Sequence, residues 1–189
     1  AMPKEYALYR LGYAVAPHMN GKFACYALSY AGGATLKWFR DDFTGESYAD
    51  MDRKVRPSPT GLLVLPHFVG AATPYMDLDA KAAIIGLTFE HTKYDVYKAL
   101  MEGCAFEILL NLETLKSFSI APQELIATGG GARSDVWLQI KADVLGLPVT
   151  ALEGDEIGAA GTAYLAGLAV GLFSNGLPPV RRKTFYPDE

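Results

Sequence analysis

The pattern of apolar and polar positions along the chain predicts short strands that alternate with helices. Apolar runs bounded by Gly, Pro or polar residues have the length of buried strands, and they lie at residues 23–30, 62–65, 84–89, 125–128 and 148–152. In the second half of the chain, each predicted strand is followed by a segment with helical spacing. This order is typical of an α/β layer architecture.

The longest helical pattern begins after Thr92. Thr92 and Asp95 have the spacing of a capping box, in which the threonine hydroxyl accepts a hydrogen bond from an amide of the first turn. Apolar residues then recur every three or four positions, as on one helix face: Tyr94, Tyr97, Met101, Cys104, Ile108, Leu112 and Leu115. Among these we expect Tyr97, Met101, Cys104 and Ile108 to lie in the core.

Two later segments also have helical character. A helix through Trp137 and Val144 is expected to end at Gly146, which fits the position just past a helix C-terminus. Residues 157–173 carry no charge, but they are slightly short for a membrane span and are rich in Gly and Ala. We therefore interpret this segment as a buried helix packed closely on a sheet.

Two glycine turns join a predicted strand to a predicted helix, in the sequences SYAGGATLKW and ATGGGARSDVW. The second turn lacks the third glycine of a dinucleotide fingerprint, because Ser134 stands in its place, and no Gly-Lys-Ser/Thr of a phosphate-binding P-loop occurs. Glycine lets a ligand approach the backbone closely, and the amides at the start of the next helix face the same opening. Each turn alone is equally consistent with a purely structural role, but together they favour a nucleotide site.

Composition narrows the choice of partners and compartment. The formal net charge of −4 argues against a nucleic-acid surface, which needs a basic stripe. Cys25 and Cys104 lie in apolar segments without a CxxC motif, and the first residues lack the apolar core of a signal peptide, so we expect free thiols in a cytoplasmic protein. The three histidines are scattered, and no Cys/His spacing fits zinc. Asp77 and Asp79 lie in a turn-like segment and are expected to be solvated.

Five stretches stand in one order along the chain: LSYAGGATLKWFRD, VLPHFVGAATPYMDLDAKAAIIGLT, DVYKALMEGCAFEI, LIATGGGARSDVWLQIKADVLGLPVTAL and EIGAAGTAYLA. In the same order, they resemble the C-terminal half of carbohydrate kinases of the FGGY family, and the xylulokinase-like members most closely. Residues 82–102 follow the second signature of that family, with its characteristic positions at Gly86, Leu87, Asp95, Ala99 and Glu102.

The resemblance implies an α/β fold of the actin-like, ribonuclease H-like ATPase class, with a central mixed sheet flanked by helices. It implies that residues 1–175 form the C-terminal nucleotide-binding domain of a sugar kinase whose N-terminal domain is absent. Residues 176–189 are then a C-terminal extension or tail, with the basic run at Arg181 solvated.

The resemblance also implies a reaction, the transfer of a phosphoryl group from ATP, bound with Mg²⁺, to a hydroxyl of a sugar or polyol. By residue match, Gly130, Gly131 and Ser134 are expected at the adenosine, whereas Gly33 and Lys37 are expected near the ribose and phosphates. No catalytic residue and no metal ligand are expected in the chain, since the general base and a phosphate-binding loop of the family lie upstream. The isolated chain is therefore expected to bind nucleotide weakly and to be inactive.

Two other functions remain open. One is a non-catalytic or regulatory actin-like ATPase lobe, and the less favoured one is a dinucleotide-binding domain.

Ala71 and Ala72 replace charged residues that close relatives often carry before Thr-Pro, which argues against a pentulose substrate. The expected partners of the full-length enzyme are ATP and a small sugar or polyol, with no nucleic acid and no membrane. A homodimer stays open, because the sequence does not define the oligomeric state.

Overall fold

The computed structural model describes residues 8–18, 21–152, 156–173 and 182–188. The chain divides into two compact units between Pro122 and Gln123. Both units combine strands with helices, as the pattern predicts. The domain boundary proposed at residue 175 stays a prediction.

Within its described residues, the first unit begins with helical residues 8–10 and then contains two antiparallel strand pairs and three α-helices. Its elements are, in chain order, β1 (Ala14–Pro17), β2 (Phe23–Tyr26), α1 (Gly33–Phe39), a π-helical segment (Arg40–Thr44), α2 (Tyr48–Asp52), β3 (Leu63–Leu65), β4 (Ala83–Ile85) and α3 (Lys93–Ser117). Strands β1 and β2 pair antiparallel, with Val15 opposite Cys25, and β3 and β4 pair antiparallel, with Val64 opposite Ile84. Both cysteines are free, and Cys104 is the more buried of the two.

The second unit contains a mixed three-stranded sheet. Its elements are β5 (Leu125–Ala127), a 3₁₀ turn (Gly130–Arg133), α4 (Asp135–Leu145), β6 (Val149–Leu152), α5 (Ile157–Ala169) and β7 (Arg182–Phe185). Strand β6 pairs parallel with β5 and antiparallel with β7. Strand β7 lies in the segment expected to be a tail, of which residues 176–181 and 189 lie outside the described residues. Its sequence, RKTF, has no apolar run, so only the pairing with β6 identifies it.

Helix α3 forms the core of the first unit. The capping box is confirmed, since the Thr92 side chain accepts a hydrogen bond from the Asp95 amide and the Asp95 carboxylate accepts one from the Thr92 amide. Tyr97, Met101 and Cys104 are buried as predicted. The prediction that Ile108 is buried is wrong, because it is only partly covered. Polar neighbours that form hydrogen bonds take the buried positions in this part of the helix, namely Glu107 and Asn111.

Helix α3 and strand β3 approach each other unusually closely at Gly103. A Cβ atom built on Gly103 would lie 2.8 Å from the carbonyl oxygen of Val64 and 2.9 Å from its Cβ. Real Cβ atoms do not approach backbone this closely, since interiors are already packed at crystal density. Only a residue without a side chain therefore fits between this helix and this strand.

A buried lysine anchors the loop that leads into β3. Lys98 is 6% exposed, and its Nζ donates hydrogen bonds to the carbonyl oxygens of Arg56, Pro57 and Ser58 at 2.9, 2.7 and 2.8 Å. Glu102, one turn along α3, lies 3.6 Å from the same Nζ. These partners satisfy all three ammonium protons, which is what a buried Lys requires.

Asp95 links the start of α3 to the same loop. Burial acts to raise the pKa of its carboxyl, but the hydroxyl and amide of Thr92 and the guanidinium of Arg56 outweigh burial and lower this pKa to about 2. A carboxyl whose pKa is depressed on folding stabilises the protein above its unfolded-state pKa, and that contribution is lost as the pH falls toward its folded-state pKa.

We therefore expect the Asp95→Asn variant to show a weaker loss of stability than the wild type as the pH falls from about 4 to about 2. The free energy of unfolding from urea titrations at several pH values measures this difference. Asp79→Asn, at an exposed carboxylate, is the matched control and should retain the wild-type slope. Parallel pH profiles for Asp95→Asn and the wild type would contradict the assignment.

In the second unit, α4 has identifiable caps at both ends. Its N-cap is Ser134, and it ends at Gly146 in the left-handed conformation with φ 61°, as predicted. Leu138 and Ala142 of α4 pack against Val149 and Ala151 of β6.

The prediction of a buried small-residue helix is wrong for α5, in which only Gly167 is buried. Glycine and alanine offer little side-chain area to bury, and the Phe173 ring is what covers Gly167. Among the residues that the structure describes, no helix combines the length and apolarity needed to cross a membrane.

Candidate nucleotide site

The turn after β5 has the predicted strand–glycine–helix order. Strand β5 ends at Ala127, the 3₁₀ turn covers Gly130–Arg133, and α4 begins at Asp135. Gly129 precedes the 3₁₀ turn with φ 78°, a conformation that favours glycine. The backbone reversal that brings the chain from the sheet into the helix therefore occurs at Gly129.

The next two glycines differ in what surrounds them. Gly130 is exposed, and a Cβ atom built on it meets no atom of the described residues within 4 Å. A Cβ atom on Gly131 would lie 2.9 Å from Cζ3 of the Trp137 ring. Neither residue has φ in the left-handed region. Gly130 thus faces open space, which we call the upper side of the turn. Gly131 makes room for the Trp137 indole, which lies on what we call the lower side.

Residues of helix α4 support this turn. The Ser134 hydroxyl accepts a hydrogen bond from the Trp137 amide at 3.1 Å, which satisfies one donor at the start of the helix. The Trp137 ring is 5% exposed, and Lys141 Nζ lies 4.0 Å from its centroid in a cation–π contact. The turn is therefore supported by a capped helix and a buried aromatic ring.

The turn before α1 has fewer supporting contacts than the turn before α4. Gly32 takes φ 113° as the N-cap, Gly33 begins the helix, and no side chain caps it. Gly33 is exposed, and in the described part of the chain no atom lies within 4 Å of an added Cβ. Lys37 is exposed and forms an ion pair with Asp41, whose pKa is lowered mainly by the hydrogen bond from Lys37 and then by the one from Arg40. Exposed pairs of this kind stabilise the protein little, so Lys37 stays available to other anions.

The structure thus groups the five predicted residues on two turns. Gly33 and Lys37 lie on the turn and helix of the first unit, whereas Gly130, Gly131 and Ser134 lie together in the second. Sequence reasoning missed Gly129 and Trp137, although both are in the quoted motif. Three consecutive glycines do not reveal which one takes positive φ, and a tryptophan at helical spacing does not reveal that it lies under a glycine.

Several polar side chains lie outside the two glycine turns. Within the described part of the chain, no group of three or more His, Cys, Asp or Glu residues is arranged to hold a metal ion. Asp77 and Asp79 are exposed, as expected. A polar cavity of about 170 Å³ lies at the start of α3, away from both glycine turns in sequence, and Arg56 and Asp95 in its lining are paired with each other.

Comparison with known proteins connects these turns to a family. Residues 7–170 match the C-terminal domain of the FGGY family of carbohydrate kinases. The chain is 31% identical over 157 residues to xylulose kinase from Bacillus subtilis, covering 81% of this chain and 32% of the relative. It is 37% identical over 151 residues to glycerol kinase from Carboxydothermus hydrogenoformans, covering 77% of this chain and 30% of the relative.

The fold has solved counterparts. A crystal structure of Plasmodium falciparum glycerol kinase with ADP is similar with a TM-score of 0.75 and 25% sequence identity, over 94% of this chain and 38% of that one. This likeness confirms the predicted actin-like, ribonuclease H-like class. The chain spans about a third of the length of the two relatives described above. With its described strand pairing, its glycine turns and a family match that covers most of its length, the chain belongs to the FGGY family of carbohydrate kinases, as the C-terminal domain.

Proposed function

We propose that this chain is the nucleotide-binding part of an ATP-dependent kinase that phosphorylates a hydroxyl of a sugar or polyol. The observation that carries the proposal is the turn at Gly129–Arg133, which is open above Gly130 and is supported from below by Trp137 and the capped helix α4. Membership of the FGGY family supports the reaction class, and relatives named xylulose kinase and glycerol kinase support a sugar or polyol acceptor.

ATP fits the residues present. The adenosine lies against Gly130 and Gly131, where the backbone offers a surface without side chains, and Ser134 holds the helix that carries this surface. Gly33 and Lys37 contribute on the side of the ribose and phosphates, with the Lys37 ammonium exposed to receive a negative charge. A glycerol kinase of similar fold is known with ADP, which supports an adenine nucleotide.

Mg²⁺ enters the site with the nucleotide. Within this proposal the ion would bind mainly through the phosphates of the nucleotide and keep several water ligands, as is usual for Mg²⁺ in phosphoryl-transfer sites. In phosphoryl transfer the metal and the protein act mainly by positioning groups and neutralising charge. The contribution of this chain is to hold the nucleoside end, while the general base and sugar contacts come from the part of the kinase that precedes it.

The acceptor is proposed as a class only. Ala71 and Ala72, where close relatives often carry charged residues, are 2% and 1% exposed. Their burial makes them packing residues of the loop. The absence of charged side chains there argues against a pentulose, and the proposal extends only to a hydroxyl of a sugar or polyol. A cytoplasmic location belongs to the same proposal, and a homodimer stays an open alternative.

Binding of Mg-ATP and NAD to the purified chain distinguishes the candidate functions. We expect weak but saturable binding of Mg-ATP and no comparable binding of NAD, because the third glycine of a dinucleotide fingerprint is Ser134. Tryptophan fluorescence is a suitable signal, since Trp137 lies under Gly131. Tighter binding of NAD than of Mg-ATP would overturn the proposal in favour of a dinucleotide-binding domain.

The same chain is expected to consume no ATP in the presence of a panel of sugars and polyols, because the general base for the acceptor hydroxyl is proposed to lie in the part of the kinase that precedes it. A coupled ADP-release assay measures this directly. A Gly130→Val variant is the control for a contaminating kinase, because only an activity of the chain itself would be lost in it. Sugar-dependent turnover by the wild type that this variant lacks would show that the catalytic machinery is present in the chain.

A further inference from the structure

The turn between β2 and α1 is held by two hydrogen bonds that meet at one hydroxyl. The hydroxyl of Ser29 accepts from the amide of Ala31 at 3.2 Å and donates to Oε2 of Glu107 on α3. Ala31 directly precedes Gly32, the N-cap of α1, which has no side-chain cap of its own. Ser29 therefore provides the side-chain anchor next to the glycines of this turn.

The acceptor of this relay is a carboxylate inside the first unit. The side chain of Glu107 is 6% exposed, and Nδ1 of His67 lies 4.0 Å from its other oxygen, Oε1. That nitrogen is buried and makes no hydrogen bond within the described residues. A buried carboxylate is costly without partners. The Ser29 hydroxyl, which donates a hydrogen bond to Glu107, offsets part of this cost.

The chain just before Ser29 is also fixed. The Leu28 amide donates to the Thr73 hydroxyl at 3.0 Å, and the Thr73 amide donates to the Leu28 carbonyl at 3.2 Å. Asn111, one turn after Glu107 on α3, donates to the Thr73 carbonyl at 3.2 Å and accepts from the hydroxyl of Tyr13 at 2.8 Å. The backbone is thus tied to its neighbours through Leu28, and the relay extends this order to Ala31.

We infer that Glu107 is a positioning residue for the nucleotide: through Ser29 it fixes the turn that presents Gly32 and Gly33 to the ribose and phosphates. Neither Glu107 nor Ser29 needs to touch the ligand. A turn that is already ordered loses less conformational freedom on binding, so the relay increases affinity by pre-organisation. This inference rests on the proposed function, because the ligand of the turn is the nucleotide proposed above.

Four variants of the full chain test the relay by Mg-ATP titration and by hydrogen exchange of the Ala31 amide. Ser29→Ala removes the centre of the relay at an exposed position, and Glu107→Met removes the acceptor at similar volume. Each is expected to weaken Mg-ATP binding about fivefold, the equivalent of one net hydrogen bond, and to speed exchange at Ala31. Glu107→Gln keeps an acceptor oxygen and should restore most of the affinity. Ser117→Ala, at an exposed serine of α3, is the matched control and should change neither quantity.

The double variant Ser29→Ala/Glu107→Met separates a relay from two independent effects. Because both residues act through one chain of bonds, its affinity should be no weaker than that of the weaker single variant. Multiplying losses, or unchanged Ala31 exchange in Ser29→Ala, would overturn the inference. If Ser29→Ala speeds exchange while Mg-ATP affinity stays at the wild-type value, the relay orders the turn without serving the nucleotide, and the inference is wrong. Absence of Mg-ATP binding by the wild-type chain overturns the proposed function and, with it, the nucleotide role of Glu107.

Discussion

Replacing Lys98 by methionine is expected to lower the free energy of unfolding by about 3–5 kcal/mol, the range found when one partner of a buried polar cluster is removed. The Lys98 ammonium is the shared donor to three consecutive backbone carbonyls at residues 56–58, and it lies 3.6 Å from Glu102. Methionine fills similar space but donates no hydrogen bond. The loop carbonyls and the Glu102 carboxylate would then be left with fewer partners away from water.

Urea denaturation of the wild type and the variant measures this loss. Lys116→Met is the matched control, because Lys116 is exposed in the last turn of the same helix and its replacement should change stability by no more than about 0.5 kcal/mol. If Lys98→Met cost as little as the control, the three carbonyl contacts would have no energetic role.

Gly130→Val is expected to keep the stability of the wild type and to lose about 1–3 kcal/mol of Mg-ATP binding free energy, the usual cost of forcing volume into a filled site. The backbone of Gly130 lies outside the left-handed region, and a Cβ built on it meets no atom of the described residues within 4 Å. We therefore expect the valine side chain to clash with a bound ligand and not with the rest of the turn. Gly131→Val is expected to lower the melting temperature as well, because its Cβ would meet the Trp137 ring at 2.9 Å.

The pair separates binding from folding. Melting temperature without ligand and the dissociation constant for Mg-ATP are measured on both variants. A normally folded Gly130→Val chain that binds Mg-ATP as tightly as the wild type would remove the adenosine from this turn. A Gly131→Val chain with unchanged melting temperature would mean that the indole moves aside.

Local signals made part of this fold predictable. The capping box at Thr92, the N-cap position of Ser134 and the left-handed Gly146 are each encoded by residues within one helical turn, and all three mark helix ends in the structure. Strand–glycine–helix order at both turns follows from the same kind of short-range pattern. The positions of the candidate nucleotide residues along the chain could therefore be predicted, whereas their role in binding remains to be tested.

Features that depend on distant partners could not be predicted. Strand β7 exists because β6 offers an edge, and β1 is likewise defined by its pairing with β2. Glu107, which is buried where Ile108 was expected, accepts a hydrogen bond from Ser29, which lies 78 positions earlier. The exposure of α5 shows the converse case, in which an apolar sequence that indicates burial finds few partners within the described residues.

Because α3 and β3 approach so closely at Gly103, a library of variants at this position would reveal how tightly α3 is packed. In a pool that varies this position and is selected only for folded chains, glycine should be almost the sole survivor, since even alanine places an atom 2.8 Å from the Val64 carbonyl oxygen. The same selection at Gly130 should tolerate many residues, and a second selection on immobilised ATP should restore glycine there. The residues accepted at each position in the two selections would thus distinguish a glycine that the packing requires from a glycine that ligand binding requires.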